Sequence, residues 1–173
     1  QSDKPHSLTN DKVLNIMFQA PNTLWACMWG GGVDKINLRT GQIKHYRHDP
    51  TDKNSLSSDN VFSIHECRHG DIWIGTWYGG LNRYNPKTDS FIRYPMLTTE
   101  DNGTSGRTIV NIAEDSTGNL WLATEGNGLD RYHAETGRFQ HYFHAPDDTT
   151  TLSNDYVHAV YDDTRGLLWI PTS

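Results

Sequence analysis

Four tryptophans, Trp25, Trp73, Trp121 and Trp169, stand 48 residues apart, and no other feature restricts the fold of this chain so tightly. The register around them runs without a gap: Thr-Leu-Trp-Ala-Cys-Met at 23–28, Asp-Ile-Trp-Ile-Gly-Thr at 71–76, Asn-Leu-Trp-Leu-Ala-Thr at 119–124 and Leu-Leu-Trp-Ile-Pro-Thr at 167–172. Ile16, Ile64, Ile112 and Val160 form a second column upstream, and Tyr46, Tyr94 and Tyr142 a third downstream. A fixed period of this length is the mark of stacked supersecondary units, none of which can bury its apolar surface alone.

Each copy carries four short apolar runs. In the second copy they are Val61–His65, Ile72–Thr76, Leu81–Tyr84 and Phe91–Tyr94, rich in the β-branched and aromatic residues that suit a pleated, half-buried surface. Turn formers separate them: His69-Gly70-Asp71, Gly79-Gly80 and Asn85-Pro86-Lys87-Thr88-Asp89. Four strands joined by short turns predict an antiparallel meander. Consecutive apolar residues in the second run, Ile72-Trp73-Ile74, predict burial on both faces. Together these features predict an all-β chain, a partial β-propeller of four-stranded antiparallel blades. Blade one spans 7–54, blade two 55–104 and blade three 105–150, and 151–173 supplies half of a fourth. A sandwich needs no constant period, and a β-helix repeat is much shorter.

Composition narrows the partners. Fifteen Lys and Arg against twenty-one Asp and Glu give a net charge of −6, and the cations are scattered, so nucleic acid is not expected as a partner. No apolar run has the length of a membrane span, so no direct membrane contact is expected. Gln1 opens no signal peptide, and the chain reads as processed or as part of something longer. Closed propellers need about 4 to 8 blades. An open segment of a ring is therefore expected, with apolar end faces that seek further blades of the same protein or a second chain.

Catalytic chemistry is not expected. Glu114-Asp115 and Asp162-Asp163 share one turn column and read as turn caps. His45-Tyr46-Arg47-His48 recurs as His141-Tyr142-Phe143-His144, but residues three apart on a strand face opposite sides. Cys27 and Cys67 fall at different positions of the repeat and suggest neither a metal pair nor a bridge. No metal site and no cofactor are predicted.

Strand direction and column variation locate a binding face. Loops between strands two and three share a rim with the inter-blade connections, and on that rim the columns differ: Trp29-Gly30-Gly31-Gly32, Trp77-Tyr78-Gly79-Gly80 and Glu125-Gly126-Asn127-Gly128, backed by the loops 47–58 and 95–107. Trp29, Trp77 and Tyr78 offer flat faces suited to sugar rings, with Glu125 and Asn127 as hydrogen-bonding groups. The alternative is that Trp29 and Trp77 pack against neighbouring blades. The opposite rim is uniform, with Asn85-Pro86-Lys87-Thr88 echoed by Asn37-Leu38-Arg39-Thr40.

The signature Trp73-Ile74-Gly75-Thr76, Gly79-Gly80-Leu81-Asn82-Arg83-Tyr84 and Phe91, preceded by Ser55-Leu56-Ser57-Ser58-Asp59-Asn60-Val61, resembles the two-component regulator propeller repeat. The resemblance covers essentially the whole chain. It implies an extracytoplasmic, periplasmic sensor of a hybrid histidine kinase, with an oligosaccharide as ligand. Related propellers also precede diguanylate cyclases, and a purely structural or protein-interaction propeller is the other reading. Cys27 and Ala123 in place of Gly75, and Pro171 in the fourth copy, depart from the pattern.

Overall fold

A computed structural model of the chain describes residues 7–94, 96 and 102–173. Its strands follow the predicted runs. Blade one holds β1 (Val13–Gln19), β2 (Thr23–Met28), β3 (Gly32–Asn37) and β4 (Ile43–Tyr46). Blade two holds β5 (Val61–Glu66), β6 (Ile72–Thr76), β7 (Gly80–Asn85) and β8 (Ser90–Tyr94). Blade three holds β9 (Ile109–Glu114), β10 (Leu120–Thr124), β11 (Leu129–His133) and β12 (Arg138–Tyr142), and β13 (Tyr161–Asp162) and β14 (Leu168–Trp169) begin a fourth. Each blade is a separate antiparallel sheet whose strands lie in chain order. First strands face one another across the blades, β1 against β5 and β5 against β9, which makes them the inner strands of a fan.

The core is a set of layers between blades. One layer, between blades one and two, joins Trp25, Cys27 and Val33 to Ile64, Ile72 and Ile74. The next joins Trp73 and Leu81 to Ile109, Ile112, Leu120 and Leu122, and the third joins Trp121 and Leu129 to Val157 and Val160. Alternation along β6 therefore sends Ile72 and Ile74 to one layer and Trp73 to the other, and every residue of the strand is buried. That is the physical meaning of the unbroken apolar run.

Trp25 and Trp121 are held on their polar and aromatic sides alike, with Tyr46 and Tyr84 against the first ring and Tyr142 against the second. The indole N–H of Trp25 donates to Gln19 Oε1 at 3.0 Å and that of Trp121 to Asp115 Oδ2 at 2.9 Å. One column of residues ahead of the first turn, Gln19 and Asp115, thus caps the indoles of blades one and three. The cross-strand partner of each of the first three tryptophans is a cation lying over its ring: Lys35 at 4.9 Å, Arg83 at 5.7 Å and Arg131 at 5.1 Å.

The recurrent histidines are also accounted for. His45 and His141 bond at 2.7 Å to the buried carboxylates Asp34 and Asp130 of the neighbouring strand. His48 and His144 bond instead to the carbonyls of Leu56 and Leu152.

Candidate functional site

The rim carrying the β2–β3, β6–β7 and β10–β11 loops is built by repeated backbone bonds. The amides of Gly32, Gly80 and Gly128 donate to the carbonyls of Asp59, Arg107 and Asp155, each on the segment leading into the next blade. These bonds put the strand two to three loops and the inter-blade connections on one rim.

On that rim Tyr78 stands where the other copies have Gly30 and Gly126, all three with positive φ: 57° for the tyrosine, 70° and 75° for the glycines. A left-handed conformation costs a residue with a Cβ roughly 1–2 kcal/mol. Its amide donates to Thr108 Oγ1 at 3.3 Å, a bond that any residue could make, as Gly30 does with Asn60 Oδ1. Tyr78 as a whole is 65% exposed. The fold thus accepts strain to display an aromatic side chain that is mostly exposed and packs edge-on against Trp77.

Tyr78 borders a groove of about 470 Å³ across blades two, three and four, with Trp77, Glu125 and Asn127 in its lining. Arg107, Thr108, Tyr156 and Met96 complete it. Four of the five residues anticipated on this rim therefore come together. Trp29 is not in the lining; it packs edge-on against Phe62 at 5.7 Å and Trp77 at 5.8 Å. Trp77 does both, touching Phe62 at 5.6 Å and Tyr78 at 5.0 Å while its remaining surface faces the groove. Residues 95 and 97–101 of the loop 95–107 lie outside the described residues.

Arg107 and Tyr156 were not anticipated. Tyr156 is an aromatic exception in a column otherwise occupied by Lys12, Asn60 and Thr108, and that exception is its only signal in the sequence. Its ring sits over Gly126, where a Cβ would lie 3.1 Å from the ring carbon Cζ. The glycine is the reason that the third loop can pass beneath the tyrosine. The groove so formed has aromatic faces at Trp77, Tyr78 and Tyr156, and a cation, a carboxylate and an amide at Arg107, Glu125 and Asn127.

A larger recess of about 710 Å³ lies between blades one and two, but its Lys35, Lys44, Tyr46, Tyr84 and Asp89 side chains bond to one another. Asp89 accepts the hydroxyls of Tyr46 at 2.5 Å and Tyr84 at 2.7 Å and pairs with Lys44. Burial raises the Asp89 carboxyl, yet bonds from Lys44, Tyr46 and Tyr84 outweigh it and hold it down at about 2. That recess is a seam stitched between two blades.

Comparison with known proteins agrees with this architecture. Residues 103–126 match the two component regulator propeller family. The extracellular domain of a hybrid two component system from B. thetaiotaomicron is similar over 100% of this chain and 23% of its own, with TM-score 0.83 and 22% identity. The extracellular domain of a one component system from the same organism is similar over 98% of this chain and 27% of its own, with TM-score 0.59 and 22% identity. PorZ, a bacterial surface component of the type-IX secretion system of Porphyromonas gingivalis, shares the fold at TM-score 0.70 and 12% identity over 98% of this chain and 26% of its own. The chain spans about a quarter of the length of these structures. No curated protein matches it in sequence.

Proposed function

Because the chain carries a two component regulator propeller repeat, we propose that it is part of the extracytoplasmic, ligand-sensing propeller of a hybrid two-component histidine kinase. The groove beside Tyr78 takes a short oligosaccharide. The observation that carries this reading is the strained, exposed Tyr78 in a glycine column, opposite Arg107, Glu125 and Asn127. Strain of this kind persists where a side chain is used, and flat aromatic faces edged by polar groups suit sugar rings. Among the described residues Glu125 is the one carboxylate in the lining, and it stands as a hydrogen-bonding group for sugar hydroxyls beside the aromatic faces. A ligand seated across three blades would bias their relative packing, which is how binding energy reaches a distant output.

The test separates display from packing. A thermal-shift screen of oligosaccharides on the intact receptor ectodomain identifies a ligand, and Tyr78→Gly is then measured against it. Tyr78→Gly should keep or slightly raise the melting temperature, because the strain is relieved, while the ligand-induced shift falls at least tenfold in apparent affinity. An unchanged ligand response in Tyr78→Gly and in Glu125→Gln sinks the assignment of this groove. A receptor with no response to any saccharide favours the protein-interaction reading instead.

A further inference from the structure

On the opposite rim, the junction of blades two and three differs chemically from its neighbours. At the first junction Gln19 Nε2 donates to Glu66 Oε1 at 2.9 Å, and at the third the Ser116 amide donates to Asp162 Oδ2 at 2.8 Å. The equivalent carboxylate of the middle junction is Glu114, which faces Cys67 in the column of Gln19 and His65 in the column of Met17 and Ala113. Nε2 of His65 is buried and has no hydrogen-bond partner, with Glu114 Oε2 3.9 Å away. One ligand atom from each of His65, Cys67 and Glu114 lies within 4.8 Å of the other two.

From this geometry we propose that His65 Nε2, Cys67 Sγ and Glu114 Oε2 form a binding site for a borderline-soft divalent cation of the Zn²⁺ class, bridging blades two and three. Imidazole, thiolate and carboxylate are the zinc donor set, and a tetrahedral ion would hold these atoms about 3.3 to 3.8 Å apart, within reach of small side-chain rotations. The hard cations Mg²⁺ and Ca²⁺ are disfavoured by sulfur and nitrogen ligands. The Cys67 thiol gives up its proton to solvent as the Zn–S bond forms. Arg68 steadies the carboxylate from outside, its backbone amide donating to Glu114 Oε2 at 2.9 Å and its Nε lying 3.4 Å from Oε1. Three protein ligands leave a fourth position for water.

Co²⁺ serves as the probe because a thiolate ligand gives it a near-ultraviolet charge-transfer band that histidines alone do not. Titration of the chelator-treated wild-type chain should show this band saturating at one equivalent, with Zn²⁺ displacing Co²⁺ and Mg²⁺ and Ca²⁺ failing to. Cys67→Ser should abolish the band, and Glu114→Gln should weaken Zn²⁺ binding at least tenfold. Bound Zn²⁺ should also slow alkylation of Cys67, a readout undisturbed by Cys27, which is 0% exposed. Absence of the charge-transfer band in the folded wild-type chain, or an undiminished Zn²⁺ affinity in Cys67→Ser, overturns the proposal. The sugar-binding reading of the other rim stands or falls separately.

Discussion

At the scale of single residues, Asp115 shows how much of a blade can hang on one carboxylate. Its Oδ1 accepts the Thr117 amide at 2.9 Å, the Thr117 hydroxyl at 2.7 Å and the Asn119 amide at 3.0 Å, closing the β9–β10 turn. Its Oδ2 takes the Trp121 indole and, at 3.3 Å, Arg131. Burial pushes this carboxyl up, but bonds from Thr117, Trp121 and Asn119 outweigh it and hold the group at about 2, below its ordinary 3.8. A depressed value means stability that is full above the ordinary carboxylate range and lost as pH falls toward about 2. Asp115→Ala should cost about 2 to 4 kcal/mol in urea denaturation, because the indole N–H and the guanidinium lose a buried partner. Below pH 3.8 the gap between wild type and Asp115→Asn should shrink, and a gap independent of pH would contradict the assignment.

At the scale of elements, the inner strands and the glycine loops shape the binding rim. The ladders β1–β2, β5–β6 and β9–β10 each shift register at the same place, leaving Leu14, Phe62 and Val110 unpaired near the rim. A bulge re-aims a side chain, and Phe62 is thereby turned onto Trp29 and Trp77. Gly128 closes the β10–β11 loop with φ 75°, and a Cβ there would drive into the Tyr142 carbonyl. Gly128→Ala should therefore destabilise the chain by about 2 to 4 kcal/mol in a denaturant titration. Tyr78→Gly, in the column two residues earlier, should not. The contrast between those two glycine columns is the experimental signature of structure against display.

At the scale of the whole molecule, the repeat contains its own control for neighbour packing. Ile64, Ile112 and Val160 are 8%, 6% and 6% exposed against the blade before them, whereas Ile16 is 62% exposed. Trp169 is likewise 60% exposed where Trp25, Trp73 and Trp121 are buried. Apolar faces of this kind favour association. Ile16→Glu should leave melting within about 0.5 kcal/mol of wild type while reducing self-association in analytical ultracentrifugation, whereas Ile64→Glu should unfold the first inter-blade layer at a cost of about 4 kcal/mol. Equal association of wild type and Ile16→Glu would show that this face is not the one that meets a partner.

The sequence alone determined the blade, its period, its strand count and the rim on which the loops vary, because a repeat exposes every local rule three times over and its exceptions stand out. Tyr78 was legible for that reason: it breaks a glycine column. Tertiary structure alone decided which exceptions meet. The groove draws Trp77 and Tyr78 from blade two, Glu125 and Asn127 from blade three and Tyr156 from blade four, and the His65–Cys67–Glu114 cluster joins two blades at unlike columns. A period relates equivalent positions, whereas contacts between blades join positions that are not equivalent, and their spacing is set by how side chains such as Trp73 and Ile112 fill the layer between. Trp29 was assigned to the same rim by its column, and only the packing of Phe62 between blades one and two placed it behind the groove.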